Sequence, residues 1–314
     1  MGRIVVVGSY IAALVMDTEE IPVEGQTVFG TNFHVTHGGK GSNMAAAAAR
    51  LGANVVFLGK VGDDEHGRSF LTLLAEEGVS NAVERSQSSP TATGIILFTQ
   101  RGTNAIVIDR GANGELSAAD VFAKQDLIDS QTVVVSPLEI PFETARAAAE
   151  LVSSRGGKAI LNPAPAQDMR QTDLSAFFAI TPNETEARVC LGLVPTDPAP
   201  MEELALRLLQ LGAPNVIITL GGEGALWARE GRCCQMPALP VTAIDTVGAG
   251  DAFNAGLAVG LSEGLDTAAA IRLGITAASL STEQRETIQS YPHRKAVDES
   301  LLQIGAHSEV TGAP

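Results

Sequence analysis

Residues 132–162 read TVVVSPLEIPFETARAAAELVSSRGGKAILN. This stretch joins two short β-branched runs, TVVVS (132–136) and KAILN (158–162), through a helix-like segment, PFETARAAAELVSSRG (141–156), that ends on glycine. Apolar strands that lack polar alternation and are separated by helices are typical of a mostly parallel sheet that is buried on both faces. The stretch therefore predicts an α/β fold.

The same alternation extends in both directions along the chain. Further strand-like runs are RIVVVG (3–8), NVVFLG (54–59), AIT (179–181) and NVIITL (215–220). Further helix-like segments are SNMAAAAARLG (42–52), HGRSFLTLLAEEG (66–78) and MEELALRLLQLG (201–212). The chain thus contains enough units for a large α/β core with helices on both faces of the sheet.

Three further strand-like segments fall outside the regular alternation of strand and helix, and no helix separates the last two. They are TVFGTNFHVT (27–36), ATGIILFTQ (92–100) and NAIVIDR (104–110), and Arg101-Gly102-Thr103 predicts a hairpin turn between the last two. We predict that they form a small antiparallel β lid, which is also a plausible dimer surface. The expected division is a core of residues 1–9, 37–90 and 112–314 and a lid of residues 10–36 and 91–111.

Composition and charge limit the function and the compartment. The formal net charge of −15 argues against a sequence-independent nucleic-acid binder, which needs clustered Lys and Arg. Cys190, Cys233 and Cys234 have neither disulfide nor metal-site spacing, which indicates thiols in a reducing compartment. No apolar run reaches the roughly 18 residues of a membrane span. We therefore expect a cytoplasmic protein that binds neither nucleic acid nor membrane.

The strongest candidate for a chemical site is DTVGAGD (245–251), which runs directly into a helix-like segment. Backbone N–H groups at a helix start lack internal partners and attract anions, and only small residues let a phosphate approach closely. The Asp251 carboxylate beside such an anion is suited to take a proton from an attacking hydroxyl. A capping Asp at an ordinary helix start is an equally open interpretation.

Three further glycine-rich or polar stretches carry weaker signals. In HGGKGSN (37–43), two glycines can form a hinge while Lys40 and Asn43 reach hydroxyl groups, although a solvated loop is the simpler interpretation. In TPNETE (181–186), Asn183 and Glu186 can face one site through Mg²⁺ and its waters, or simply cap a helix. TLGGEG (219–224) follows an apolar strand and suits contact with a nucleotide.

In this order, these stretches resemble the ribokinase-like sugar kinases, also called the phosphofructokinase B family. The resemblance extends from GSYIAAL (8–14) through GGKGSN (38–43), DRGAN (109–113) and TPNETEA (181–187) to DTVGAGDAFNAG (245–256), and covers nearly the whole chain. It implies a three-layer α/β core with a β lid, ATP as phosphoryl donor, Mg²⁺, and a sugar as acceptor. It also implies that paired lids form a homodimer.

The resemblance assigns roles by position. It makes Asp251 the catalytic base toward a primary hydroxyl and the backbone of Gly248, Ala249 and Gly250 the anion hole. Positions matching nucleotide, Mg²⁺ and phosphate contacts are Asn183, Glu186, Thr219, Gly221, Gly222, Gly224 and Gly250. Positions matching sugar contacts are Tyr10, Ile11, Ala13, Gly39, Lys40, Asn43 and Glu139.

A monovalent-cation site beside the anion hole is a further implication of the resemblance. The matching positions are Asp245, the carbonyl of Val247, Ser281, Gln284, Glu286 and Ser290. Here the sequence departs from the family, because the usual Gly-Ala is Glu286-Thr287. A Glu side chain could clash, supply another anionic group or point outward, so activation by K⁺ stays open.

The larger departure lies in the loop expected after the first strand. The ribokinase pattern is Gly-Ser-x-Asn-x-Asp, whose polar residues hold sugar hydroxyls, whereas this chain has Ile11 and Ala13 at those two positions. A carboxylate on a diol contributes about 1.5–3 kcal/mol, so its loss weakens a ribose site by one to two orders of magnitude. We therefore expect an acceptor other than plain D-ribose. Tyr10 and Ile11 better suit a deoxygenated, substituted or ring-bearing acceptor, such as a nucleoside or a modified sugar.

Two alternatives remain beside the sugar kinase. A nucleoside kinase of the same fold would have the same phosphoryl-transfer residues, and a non-catalytic relative would only bind a ligand. An oxidoreductase is disfavoured because GSYIAAL (8–14) lacks the Gly-x-Gly-x-x-Gly pattern after the first strand.

Overall fold

The computed structural model describes residues 2–99, 101 and 103–310, with the backbone alone for 304–310. The strands are β1 (Arg3–Val7), β2 (Ile11–Thr18), β3 (Gly30–Gly38), β4 (Asn54–Leu58), β5 (Lys60–Gly62), β6 (Ser80–Asn81), β7 (Glu84–Ser86), β8 (Thr93–Thr99), β9 (Asn104–Asp109), β10 (Val133–Pro137), β11 (Lys158–Asn162), β12 (Ala179–Ile180), β13 (Val216–Thr219), β14 (Ala225–Arg229) and β15 (Arg232–Met236). The α-helices are α1 (Lys40–Arg50), α2 (Glu65–Glu76), α3 (Ala118–Ala123), α4 (Phe142–Ser154), α5 (Glu184–Cys190), α6 (Met201–Leu209), α7 (Ala249–Ser262), α8 (Thr267–Ser281), α9 (Thr287–Ser290) and α10 (Arg294–Val310).

A large sheet forms the centre of the molecule. Its strand order is β15-β14-β13-β12-β11-β10-β1-β4-β6, and every pair from β13 to β6 is parallel. β14 and β15 extend one edge in antiparallel fashion. The predicted α/β fold with a mostly parallel sheet is therefore confirmed.

Side chains from the two faces of this sheet enter two separate apolar clusters. In β1, Ile4 and Val6 pack into one cluster with α1, α7 and α8, while Val5 and Val7 pack into the other with α4 and α6. Because both faces are covered by helices, the strands read as continuous apolar runs without alternation. Burial on both faces of the sheet therefore explains the apolar strand runs within residues 132–162.

A second, smaller sheet has the strand order β3-β2-β8-β9, and we call it the lid sheet. It was expected to be antiparallel, but its central pair β2–β8 is parallel and only the outer pairs β2–β3 and β8–β9 are antiparallel. Its strands lie within the ranges assigned to the lid, except that β3 continues to Gly38. Of the residues around the predicted hairpin turn, Gln100 and Gly102 lie outside the described residues.

The first lid strand corrects the expectation of a loop after β1. Residues 11–18 form β2, which pairs with β3 and β8 along its whole length. Its run of Ile, Ala, Leu, Val and Met did not alternate in polarity, because side chains on both faces of its first half are largely covered. Ile11 and Ala13 are therefore held on a strand, where neighbouring strands fix the direction of their side chains.

Candidate active site

Several candidate residues meet at the carboxyl ends of the parallel strands. α1 begins there with Lys40 and Asn43, α7 begins there with Asp251 in its first turn, and Glu139 follows β10. Ligands of open α/β sheets bind at this edge because loops and helix N-termini converge on it. The fold therefore brings together residues that are more than 200 positions apart in the chain, such as Asn43 and Asp251.

The Asp251 carboxylate is buried and bonded at the centre of this group. Its Oδ2 accepts a 2.8 Å hydrogen bond from Nδ2 of Asn43, and its Oδ1 lies 3.9 Å from Nζ of Lys40. Burial raises the pKa of Asp251, and Lys40 and Asn43 act in the opposite direction by stabilising the anion. The Asn43 Oδ1 atom is buried and makes no hydrogen bond, so an acceptor atom is available beside the carboxylate.

Glu139, which follows β10, connects the segment after β1 with the start of α1. Its Oε2 accepts the hydroxyl of Ser9 and, at 2.7 Å, the backbone N–H of Lys40. Burial raises the pKa of Glu139, while these two donors and the charge of Lys40 lower it. A carboxylate with one oxygen fixed by protein donors can present its other oxygen to a hydroxyl.

Gly39 occupies the junction between the lid sheet and α1. Its φ of +95° lies in the region that favours glycine, and a Cβ would approach the backbone N of Ile11 to 2.9 Å. β3 ends at Gly38 and α1 begins at Lys40, so Gly38 and Gly39 form the connection predicted to be a hinge. A larger residue at position 39 would push β2 away from α1.

Ile11 and Ala13 lie on the same face of β2 and are both buried. In the strand register Ile11 pairs with Gly38 and Ala13 with Gly94, so two glycines flank the apolar pair. A Cβ on Gly94 would lie 3.3 Å from Cγ2 of Ile11, which shows how closely these strands fit. The two positions that carry polar groups in the ribokinase pattern therefore present a methyl and a sec-butyl group.

The Tyr10 side chain is buried in the core. Its ring stacks on Phe70 of α2 with centroids 4.1 Å apart, and its hydroxyl lies 3.0 Å from Nδ1 of His37. The amide of Asn113 bonds both the backbone N–H and the carbonyl of Tyr10, at 3.2 and 2.8 Å. Contact between the Tyr10 ring and an acceptor stays a prediction, although the ring is already covered by the core.

The turn at residues 248–250, which we call the anion turn, consists of Gly248, the N-cap of α7, and the first two residues of that helix. Gly248 has a φ of +80°, and Gly250 leaves open space because a Cβ added there would meet nothing within 4 Å. The first N–H groups of α7 have no partners within the helix, and its dipole adds positive charge at this end. The turn can therefore receive an anion such as a transferring phosphoryl group.

A cavity of about 540 Å³ opens beside the anion turn. Its lining includes Ala249, Gly250 and Phe253 of α7 and apolar residues such as Leu239 and Val241. The candidate nucleotide residues Asn183, Thr219, Gly221, Gly222 and Gly224 also line it. The structure therefore places the predicted nucleotide loop and the anion turn on one cavity of a size that suits a nucleotide.

Asn183 and Glu186 form a capping box at the start of α5. The Asn183 side chain accepts the Glu186 N–H, and the Glu186 side chain accepts the Asn183 N–H, both at 2.8 Å. Burial raises the pKa of Glu186, and the charge of Lys40 lowers it. Asn183 therefore combines helix capping with a position on the cavity, whereas Glu186 does not line the cavity but interacts with the charge of Lys40.

The candidate cation residues lie in two stretches of chain, one directly before α7 and the other from the last residue of α8 to the last residue of α9. The N–H groups of Ile244 and Asp245 both donate to the carbonyl of Thr282, at 2.7 and 3.1 Å, which joins the segment before the anion turn to the end of α8. Glu286 is exposed and has a φ of +70°, a conformation that suits the glycine usual at this position. Of the three possibilities for Glu286, the structure has the outward one. The other predicted cation residues are Val247, Ser281, Gln284 and Ser290.

Two residues with roles in the site were absent from the sequence-based set. Asn113 holds the backbone of Tyr10 at the start of the lid, and the Ser9 hydroxyl binds Glu139. Asn113 lies in DRGAN (109–113), a segment that carries the family resemblance, so its motif was a usable signal. Ser9 is the second residue after the first strand, at the sheet edge where ligands bind in open α/β folds. Among the described residues, no group of three or more His, Cys, Asp or Glu is arranged to hold a metal ion.

Comparisons with known proteins agree with this geometry. A family model described as pfkB family carbohydrate kinase matches residues 1–294. The ribokinase of Bacillus subtilis is 37% identical over 303 residues, which cover 96% of this chain and all of that protein. The deoxyribokinase of Salmonella typhi is 36% identical over 306 residues, covering 95% and 98%. The solved structure of Arabidopsis thaliana ribokinase complexed with ribose and ATP has a TM-score of 0.86 at 29% identity, covering 96% and 98%.

Proposed function

Because the chain belongs to the pfkB family of carbohydrate kinases and is therefore an ATP-dependent sugar kinase, we propose that it phosphorylates a primary hydroxyl of a sugar other than plain D-ribose. The observation that carries this proposal is the buried apolar pair Ile11 and Ala13 on β2. A ribose hydroxyl placed against this pair would lose its water without gaining a partner, which costs about 1–3 kcal/mol.

In this proposal Asp251 is the general base. Its carboxylate, oriented by Asn43 and held near Lys40, takes the proton of the attacking hydroxyl. The backbone N–H groups of the anion turn face the charge that develops on the phosphoryl oxygens. Asn43, Lys40, Gly39 and Glu139 orient the acceptor. When bound, Mg·ATP supplies the phosphoryl group and offsets part of its charge.

The nucleotide occupies the 540 Å³ cavity in this account. Thr219, Gly221, Gly222 and Gly224 would contact it, and Asn183 and Glu186 would stand near Mg²⁺ and the phosphates. The fit of a nucleotide to this cavity is supported by the open space in front of Gly250 and by the apolar residues that line the cavity. Aromatic rings commonly bind to apolar walls of this kind.

We propose a deoxygenated sugar as the favoured acceptor. The sequence identities to a ribokinase and to a deoxyribokinase are 37% and 36%, so they do not distinguish these two activities. The choice between the two acceptors therefore rests on the residues of the acceptor pocket. Ile11 offers contact to a CH₂ group and no partner to a hydroxyl, which favours 2-deoxy-D-ribose over D-ribose. A nucleoside is less well supported, because the Tyr10 ring stacks on Phe70 and is not exposed to a base.

A panel of acceptors tests the class of substrate. Purified protein is incubated with Mg·ATP and with pentoses, 2-deoxypentoses, hexoses or nucleosides, and ADP release is followed. We expect turnover on free sugars and at most weak turnover on nucleosides. Turnover confined to nucleosides would replace the proposal with its alternative, and ligand-induced stabilisation without any ADP release would indicate a non-catalytic relative.

We further propose that a monovalent cation binds at Asp245, the carbonyl of Val247, Ser281, Gln284, Glu286 and Ser290. The direct backbone contacts between residues 244–245 and Thr282 support a shared site on the two stretches of chain. Glu286 supports it as well, because its backbone keeps a glycine-like conformation and its side chain stays outside. Repeating the panel in K⁺ and in Na⁺ checks this, and higher turnover in K⁺ is the expected result.

A homodimer through the lid sheet is proposed from its exposed apolar face. Val35, Leu14, Ile95 and Val107 are cross-strand neighbours on one face, and Val35, Ile95 and Val107 are 50%, 52% and 69% exposed. An apolar row of this kind on a sheet favours burial against a partner. A second copy of the same face is self-complementary in a two-fold dimer.

Replacing Ile95 by Glu is expected to convert the dimer to a monomer, because two buried, unpaired carboxylates would meet at the interface. Sedimentation velocity measures the change. Val194→Glu is the control, since Val194 is 63% exposed in the loop after α5 and should leave the dimer intact. A wild-type chain that sediments as a monomer at micromolar concentration would exclude this interface.

We propose a cytoplasmic location because the reaction consumes ATP and because the three cysteines are unpaired. Within the described part of the chain, no helix has both the length and the apolar character needed to cross a membrane.

A further inference from the structure

The segment from Glu286 to Tyr291, which we call the support segment, packs directly behind the anion turn. A Cβ on Gly248 would lie 2.4 Å from Cγ2 of Thr287 and 2.7 Å from the hydroxyl of Tyr291. The turn therefore rests on these two side chains, and Gly248 is what permits so close an approach. The support segment therefore contacts the backbone of the anion turn directly.

The Tyr291 hydroxyl makes a polar contact between the two segments. Tyr291 is buried, and its hydroxyl lies 3.5 Å from the carbonyl oxygen of Gly248, to which it donates. The same carbonyl accepts the N–H of Ala252 at 2.9 Å, the first hydrogen bond of α7. Burial, together with the charge of Asp251, raises the pKa of Tyr291 well above its ordinary value, so the hydroxyl keeps its proton and remains a donor.

Arg50, the last residue of α1, holds the support segment in place. Its Nη1 donates to the carbonyls of Ile288, Gln289 and Tyr291 at 2.6, 3.3 and 3.4 Å. Its Nε and Nη2 donate to the two carboxylate oxygens of Glu77 at 2.8 and 2.7 Å, which fixes the guanidinium plane. α1 carries Lys40 and Asn43 at its other end, so one helix connects the acceptor side of the site with the support of the anion turn.

We infer that Tyr291 is a positioning residue for phosphoryl transfer, because its hydroxyl fixes the Gly248 carbonyl and thereby the direction of the N–H groups in the anion turn. Arg50 acts one step further away by fixing the backbone that carries Tyr291. The inference rests on the proposed role of the anion turn. A donor that is misdirected by a fraction of an ångström stabilises the transition state less and leaves ground-state binding almost unchanged.

The test replaces Tyr291 by Phe, which removes one hydroxyl and keeps the ring. We expect kcat to fall about three- to tenfold, the scale of one hydrogen bond, with KM for the acceptor and the Kd of ATP within twofold of wild type. Affinity for Mg·ADP with aluminium fluoride, which mimics the transferring phosphoryl group, should fall by a similar factor while affinity for Mg·ADP alone stays the same. Titration calorimetry measures both affinities without turnover.

Thr144→Val is the matched control. Its buried hydroxyl donates to the carbonyl of Leu116 at 2.6 Å in the apolar cluster on the opposite face of the sheet. This variant loses the same kind of bond, so a comparable loss of stability with unchanged kcat is expected. A merely structural role for Tyr291 would produce the same pattern as Thr144→Val.

Unchanged kcat and unchanged affinity for the aluminium fluoride complex in Tyr291→Phe would overturn the inference, as would an equal loss of affinity for Mg·ADP alone. Should Tyr291→Phe fail to fold, Arg50→Lys provides the same readouts, since lysine keeps the charge but cannot bond Glu77 and the carbonyls together. Loss of kcat with intact Mg·ADP affinity again supports the inference, and intact kcat again refutes it. A wild-type protein with no turnover on any acceptor would refute the proposed function instead, so the two failures are distinguishable.

Discussion

Replacing Asp251 by Asn is expected to lower kcat by at least about a thousandfold while ATP binds with nearly unchanged affinity. Asn keeps the size of the side chain and can still contact Asn43, so the start of α7 should persist. It cannot accept the proton of the attacking hydroxyl, and it removes the charge that Lys40 faces at 3.9 Å. ADP release with the best acceptor measures the loss, and calorimetry measures ATP binding.

The control for this change is Asp266→Asn. Asp266 caps the next helix, α8, by accepting the N–H of Ala269 at 2.8 Å, and Asn is an equally good cap. The same substitution at this neighbouring helix start should leave kcat unchanged. Retention of more than about a tenth of wild-type kcat by Asp251→Asn would remove Asp251 from the role of base.

The double change Ile11→Asn with Ala13→Asp is expected to raise kcat/KM for D-ribose by about ten- to a hundredfold. It restores the two polar groups of the ribokinase pattern at positions that β2 already holds in place. The new carboxylate would bind a vicinal diol through charge-assisted hydrogen bonds. Steady-state assays with D-ribose and with 2-deoxy-D-ribose measure the gain and the accompanying loss of preference for the deoxygenated sugar.

Ile11→Val with Ala13→Ser is the matched control, because it changes the same two positions without supplying an amide or a carboxylate. It should give no comparable gain on D-ribose. If the Asn/Asp variant folds, binds ATP and still shows no gain, these positions do not set the acceptor. The single change Ala13→Asp gives a second test should the double variant be unstable.

Much of the fold could be predicted from the sequence because its signals are local. Continuous apolar runs, such as those at 132–136 and 158–162, reflect a sheet covered on both faces, and glycines such as Gly156 mark helix ends. The strand β2 was missed for a related reason. Its first residues are covered on both faces of the lid sheet, so IAALV shows none of the alternation that identifies a half-exposed strand.

The candidate site likewise has parts that local sequence signals predict and parts that they do not. Asp251, the anion turn and the capping box at Asn183 follow from short motifs at helix starts, where backbone groups need partners. The direction of the Tyr10 ring and the contact of Tyr291 with Gly248 depend on packing between segments far apart in the chain. Arg50 reaches carbonyls about 240 residues away, and no local pattern encodes such a contact.

We propose that a buried apolar pair, Ile11 and Ala13, turns an intact sugar-kinase site away from D-ribose. The most direct measurement is the ratio of kcat/KM for 2-deoxy-D-ribose to kcat/KM for D-ribose in the wild-type protein, from ADP release at saturating Mg·ATP with K⁺ present. We predict that D-ribose is used about ten- to a hundredfold less efficiently. Phosphorylation of D-ribose with an efficiency equal to or above that of the deoxygenated sugar would contradict the claim.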